Sequence, residues 1–147
     1  MSKVVYSACY GGFGLSDEAI RRYAKIKGLT LHPEPMMMNG RNTGVTLWWT
    51  VPASERVGKI VDDWHTASSS ERQASNDFWR ANQLERRNIP RTDPVLVQVV
   101  EELGSAANGA HANLRIAELP DGTRYRIDEY DGFEHVETRD DIEWSVA

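Results

Sequence analysis

The 147-residue sequence predicts an α+β fold, and three observations carry that expectation. Residues 45–51 alternate side chains with the period of a strand: Val45, Leu47, Trp49 and Val51 share one face, with Thr46, Trp48 and Thr50 on the other. Residues 94–103 place Leu96, Val99, Val100 and Leu103 on a single helical stripe, widened by Val95 and Val97. Two Asp-Gly pairs, Asp121-Gly122 and Asp131-Gly132, divide the C-terminal third into short runs as hairpin turns do. Together they imply a mixed or mostly antiparallel sheet built from the N-terminal strand, the Trp48-Trp49 strand and a C-terminal meander, covered by helices.

In chain order, residues 3–9 form the first strand. Val4, Tyr6 and Ala8 lie on one side and Val5, Ser7 and Cys9 on the other, and two apolar faces suit a central strand. Gly11, Gly12 and Gly14 then turn the chain, with Tyr10 and Phe13 expected in the core beside them. Ser16 is the N-cap of a helix that carries Asp17 and Glu18 in its first turn, where the helix dipole favours them. Leu15 and Ile20 fit a hydrophobic staple; Ile20, Tyr23 and Ala24 form the inner stripe, and Gly28 stops the helix.

Residues 29–44, with two prolines and the triplet Met36-Met37-Met38, read as a long loop containing a hairpin turn at Asn39-Gly40. After the Trp48-Trp49 strand, a helical hairpin is expected over about 53–88, inserted into a single domain spanning 1–147. Its first helix uses Val57, Ile60, Val61 and Trp64. Its second, capped by Ser70, turns Ala74, Phe78, Ala81 and Leu84 inward and leaves Arg80, Glu85, Arg86 and Arg87 in solvent. Asp93 caps the next helix with Pro94 at its first position, and Gly104 ends it. Glu101 and Glu102 sit at the wrong end of that helix for its dipole, which flags a cationic partner inside or outside the fold. The meander follows as 113–119, 123–130 and 133–137, with Thr123, Tyr125 and Ile127 inward. The charged tail carries Trp144, which could dock back.

Composition narrows the function classes. The chain is 40% hydrophobic and 27% charged, as soluble globular proteins are. A net charge of −5 argues against a general nucleic-acid surface. Cys9 is the one cysteine, so no internal disulfide forms, and within an apolar strand its thiol reads as inert packing. No segment approaches the roughly 18 apolar residues of a membrane span, and the cytoplasm is the expected compartment. His32, His65, His111 and His135 are scattered without zinc-ligand spacing, so neither a metal nor a cofactor is expected. The glycine turn fits neither the P-loop nor the dinucleotide fingerprint, and Asp17 and Glu18 repel a phosphate at that helix end. Asp128, Glu129, Asp131 and Glu134 could offer an acid–base pair but read as solvated hairpin residues.

Three segments resemble a family of small, largely uncharacterised proteins encoded by bacteriophages and prophages. The first is Cys9-Tyr10-Gly11-Gly12-Phe13-Gly14-Leu15-Ser16. The second is Arg91-Thr92-Asp93-Pro94 followed by Val99-Val100-Glu101-Glu102-Leu103-Gly104 and Asn108-Gly109. The third is Glu118-Leu119-Pro120-Asp121-Gly122 with Ile127-Asp128-Glu129-Tyr130-Asp131-Gly132 and Glu134. They cover about half the chain, and the block 29–88 lies outside them. The family has no assigned chemistry. The resemblance implies a viral accessory protein, a class in which stoichiometric antagonists of host defence are common.

Three functions follow as expectations. The leading one is a non-enzymatic antagonist that binds a host immune protein through Met37, Trp48, Arg86 and Arg87, adaptable or aromatic groups of the kind that anchor interfaces. The second is a sponge for a nucleotide-type immune signal, stacking it on Tyr10 or Phe13 and holding its phosphates with Arg91, Arg124 or Arg126. The third is a small hydrolase acting through the acidic hairpin. The oligomeric state is left open, and a homo-oligomer is compatible with all three.

Overall fold

Val4 and Val5 point to opposite faces of one strand, and both are fully buried. The computed structural model describes residues 1–56, 63–141 and 145–147. Among these, the elements run β1 (Ser2–Ser7), α1 (Asp17–Lys27), β2 (His32–Met38), β3 (Arg41–Trp49), α2 (Ser69–Asn82), α3 (Pro94–Leu103), β4 (Leu114–Leu119), β5 (Tyr125–Tyr130) and β6 (Phe133–Thr138). The fold class is α+β, with antiparallel strands and packed helices. The chain divides into two compact units: Met1–Lys27 with Arg86–Ala147, and Gly28–Glu85.

In the first unit the expected elements form, but their pairing differs from a meander. β1 pairs antiparallel with β4, from Ser2 opposite Leu119 to Ser7 opposite Leu114. β5 pairs with β6 alone. The two Asp-Gly turns explain the difference. Asp131 and Gly132 both take positive φ, 50° and 86°, the primed turn that matches strand twist. At the other turn Gly122 alone has positive φ, and Asp121 is tied to Ser2 Oγ at 2.9 Å. β4 therefore continues beside β1 instead of folding back on β5. The expectation of one sheet is corrected: among the described residues the strands pair as separate two-stranded ladders.

Ser16 caps α1 by accepting from the Ala19 N–H at 3.1 Å, and Leu15 and Ile20 are buried as a staple requires. Asp93 caps α3 by accepting from the Val95 N–H at 2.8 Å. Its carboxylate also takes the Tyr23 hydroxyl at 2.7 Å and lies 3.2 Å from Lys27 Nζ, joining the two helices. Burial alone would raise the Asp93 pKa; the bonds from Tyr23, Val95 and Lys27 outweigh it and hold the carboxyl below its usual range. Burial first, then Asp93, pushes the Tyr23 phenol well above its own. Leu96, Val99 and Val100 are buried as the stripe predicts. The misplaced acids find internal cations: Lys3 pairs with Glu101, and Arg22 bonds Glu102 at 2.9 Å.

The second unit holds the larger corrections. Residues 32–38, expected as loop, form β2 and pair with β3 from His32 opposite Trp49 to Met38 opposite Arg41. Pro33 and Pro35 can sit in that strand because it is an edge, where the missing N–H faces outward. The Asn39-Gly40 turn forms, with φ of 52° and 75°. Trp48, expected to anchor a partner, is buried together with Trp49. The segment leaving α2 explains this: the Leu84 N–H donates to the Trp48 carbonyl, and the Thr50 N–H to that of Asn82, so the chain returns along β3. The inward stripe of α2 is Ser75, Phe78, Trp79 and Asn82, with the Trp79 ring 4.8 Å from Trp49. Ala74 and Ala81 are exposed, and Ser68 is the cap in place of Ser70. The stripe expected at Val57, Ile60 and Val61, and the docking of Trp144, lie outside the described residues.

Candidate functional site

The glycine turn is a packing junction of bare backbone. A Cβ on Gly11 would overlap the His111 carbonyl, and one on Gly132 would overlap the Tyr10 carbonyl. A Cβ on Gly109 would come within 2.9 Å of the Gly14 carbonyl carbon. Gly109 donates to Gly14 O at 3.0 Å, and Ser16 N–H to Ala107 O at 3.0 Å, so the three loops are stitched together. Close approach accounts for Gly11, Gly109 and Gly132, and a positive φ of 82° for Gly12. It also sets the two aromatics apart. Phe13 is half-buried under the Arg91 guanidinium, 3.6 Å from the ring centre. Tyr10, expected in the core, is 66% exposed.

Arg91 and Glu134 close the other side of the junction. Glu134, 5% exposed, accepts from Arg91 Nη1 and Nη2 at 2.8 and 2.9 Å and from the Ser7 N–H at 2.8 Å. Arg91 also gives Nη1 to Val5 O at 3.2 Å, while its own carbonyl accepts the Val5 N–H. The free edge of β1 is thus covered by one fork–fork ion pair instead of another strand. Burial works to raise the Glu134 pKa, but Arg91 and the Ser7 N–H hold the carboxyl below its usual range. Both residues are consumed in structure. Arg91 is not a free phosphate ligand, and Glu134 is not poised for acid–base work.

With Glu134 inward, the β5–β6 register assigns the outward face. Directly opposed pairs on it are Arg126 with Glu137, Asp128 with His135 and Tyr130 with Phe133. Tyr130 is 77% exposed and Phe133 37%, and Tyr10 packs on Phe133 with ring centres 5.3 Å apart. Arg126 Nε bonds Glu137 Oε2 at 2.7 Å, and His135 Nε2 lies 2.9 Å from Glu137 Oε1. These contacts, His135 first and then Arg126, hold the Glu137 carboxyl below its usual range. The hairpin therefore presents an aromatic end beside its turn and a charged end beyond it. Arg124, exposed, immediately precedes β5.

Of the residues expected to bind a ligand, Tyr10 and Arg126 are presented outward on or beside this face, whereas Phe13 and Arg91 lie under it. The residues expected to bind a partner protein are distributed over both units. Met37 is exposed near the β2–β3 turn, and Trp48 is buried and withdrawn from that role. Arg87 is exposed and Arg86 half-buried in the short turn Arg86–Asn88 of the first unit. Cys9 is half-buried and bonds the His111 carbonyl. A groove lined by Val4, Pro94, Val97, Leu119 and Tyr125 has its two cations, Lys3 and the Met1 amine, already paired with Glu101 and Asp121. Tyr130 and Phe133 are the site residues missed in the sequence. The signal was present, because the Asp131-Gly132 turn alone fixes them as an opposed pair. No family model, curated protein or solved structure matches the chain.

Proposed function

We propose that this chain is a stoichiometric, non-enzymatic binding protein, a viral accessory factor that antagonises a host defence protein through the outward face of β5–β6 and the neighbouring Tyr10. The observation that carries the reading is the exposed cluster Tyr10, Tyr130 and Phe133, set on and beside the β5–β6 hairpin next to an ion-pair ladder. Aromatic side chains left in water on such a face gain most when a partner covers them, and tyrosines with a polar rim are the usual anchors of protein interfaces. The face is open and two-stranded, which fits a protein surface better than a small molecule that must be enclosed. The antagonist role rests on the phage-family resemblance of the segments that build this face and its supporting junction.

The test is affinity capture from host lysate with the purified protein and with Tyr10→Ser/Tyr130→Ser. The reading expects one host protein retained in equimolar amount by the first and lost by the second. A nucleotide-type compound eluting in its place would move the function to ligand sequestration on the same face, where Tyr10, Arg124 and Arg126 would hold it. Capture by both proteins alike would remove the face from the function.

A further inference from the structure

Asp128, His135 and Glu137 each bring one ligand atom to within 4.8 Å of the others, the one such group among the described residues. The β5–β6 ladder places them: Asp128 is directly opposite His135, and Glu137 is two residues further along the same face. Two of the three spacings, those from the imidazole to each carboxylate, are close to that of donors on a common ion. Bonds of about 2.1 Å to one metal, at octahedral or tetrahedral angles, put neighbouring donors about 3.0–3.4 Å apart. His135 Nε2 stands 2.9 Å from Glu137 Oε1 and 3.6 Å from Asp128 Oδ2, on either side of that range.

A contact outside the trio orients it further. Arg126, opposite Glu137, holds Oε2 at 2.7 Å and so turns Oε1 toward the imidazole. Partners of this outer kind fix the ligand atom of a metal-binding carboxylate. The imidazole nitrogen is what separates this group from a cluster of surface acids. One nitrogen with two carboxylate oxygens suits zinc and its first-row neighbours, whereas magnesium prefers oxygen and retained water. His135 and Asp128 are half exposed in their side chains, so an ion can enter, and solvent can complete its coordination.

We propose that Asp128, His135 and Glu137 form a zinc-type divalent metal site, binding through His135 Nε2, Glu137 Oε1 and one Asp128 carboxylate oxygen. The site stands independently of the protein-binding reading, since it is a property of the isolated chain. The probe is Zn²⁺ titrated calorimetrically into tag-free, chelator-stripped protein, with Mg²⁺ as comparison and Co²⁺ absorption as a second readout. Saturable binding of one Zn²⁺, on the order of micromolar, is expected, with little heat from Mg²⁺. His135→Ala and Asp128→Asn, each checked for an unchanged circular dichroism spectrum, should weaken it by at least about tenfold. Co²⁺ bands should appear with the wild type and vanish with His135→Ala. Absence of saturable Zn²⁺ binding would overturn the proposal and leave the trio as a hydrogen-bonded group on the hairpin surface. Full affinity in His135→Ala would overturn it too, by placing the ion on another histidine.

Discussion

Replacing Arg91 by methionine leaves the Glu134 carboxylate buried with one remaining donor among the described residues, the Ser7 N–H at 2.8 Å. The side chain of Glu134 is 6% exposed and that of Arg91 19%, so the carboxylate cannot recover by turning to water, whereas the guanidinium partly can. Removing one partner of a buried pair costs about 3–5 kcal/mol. The loss of stacking on Phe13 adds to this, offset in part by the methionine's own packing. Glu134→Leu should cost less, about 1–3 kcal/mol, chiefly from the orphaned Ser7 N–H. The double variant Arg91→Met/Glu134→Leu no longer buries an unpaired charge and should be more stable than Arg91→Met alone. Urea unfolding of the four proteins, taken as a double-mutant cycle, measures the coupling. Additive losses, or a double variant below Arg91→Met, would refute the argument that the pair closes the β1 edge as one unit.

Three further outcomes are expected. Gly132→Ala meets both a positive φ and the Tyr10 carbonyl and should lower stability by more than about 2 kcal/mol, whereas Gly28→Ala, with open space around it, should cost about 1 kcal/mol; equal melting temperatures for the two would remove the close-packed junction. Asp93 titrates below its usual value in the folded chain, so its contribution is present above about pH 4 and lost as pH falls through the lowered value; Asp93→Asn should flatten that acid limb in a melting series, and an unaltered limb would show that other carboxylates set it. Replacing residues 28–85 by a Gly/Ser linker should leave a folded first unit by circular dichroism and cooperative melting, since that unit carries its own core; general collapse would show that the units depend on one another.

Elements whose signals are local were legible in the sequence. The α3 stripe, the Ser16 and Asp93 caps and the Asn39-Gly40 and Asp131-Gly132 turns depend on neighbours a few residues away, and each forms as read. The stretch outside the phage-family resemblance, 29–88, nearly coincides with the second unit, Gly28–Glu85. Within it the sequence misled where polarity hid the pattern. The inward face of α2 begins at Ser75 and ends at Asn82, so an apolar template slides to Ala74 and Ala81. β2 carries two prolines, which mark a loop unless an edge strand is considered. The candidate site was half legible. The hairpin register could have been counted out from Asp131-Gly132, giving Asp128 opposite His135 and Tyr130 opposite Phe133. Its inward and outward faces could not, because Glu134 is turned inward by Arg91, 43 positions away in sequence. Tyr10 is exposed where its backbone meets that of Gly132, a contact that no periodicity encodes.

The outward face of β5–β6 is the central claim, and infection of a defended host tests it most directly. Plating of a defence-sensitive phage is scored on cells expressing the wild type, Tyr10→Ser/Tyr130→Ser, Met37→Asp or Arg87→Glu, all matched for expression and melting temperature. All four substituted side chains are exposed, so stability should change by about 0.5 kcal/mol or less per site, and by about 1 kcal/mol at Tyr10, which loses its contact with Phe133. The wild type, Met37→Asp and Arg87→Glu should restore plaques, and the double tyrosine variant should not. Plaques restored by the tyrosine variant but lost with Met37→Asp or Arg87→Glu would contradict the account and place the working surface away from the hairpin.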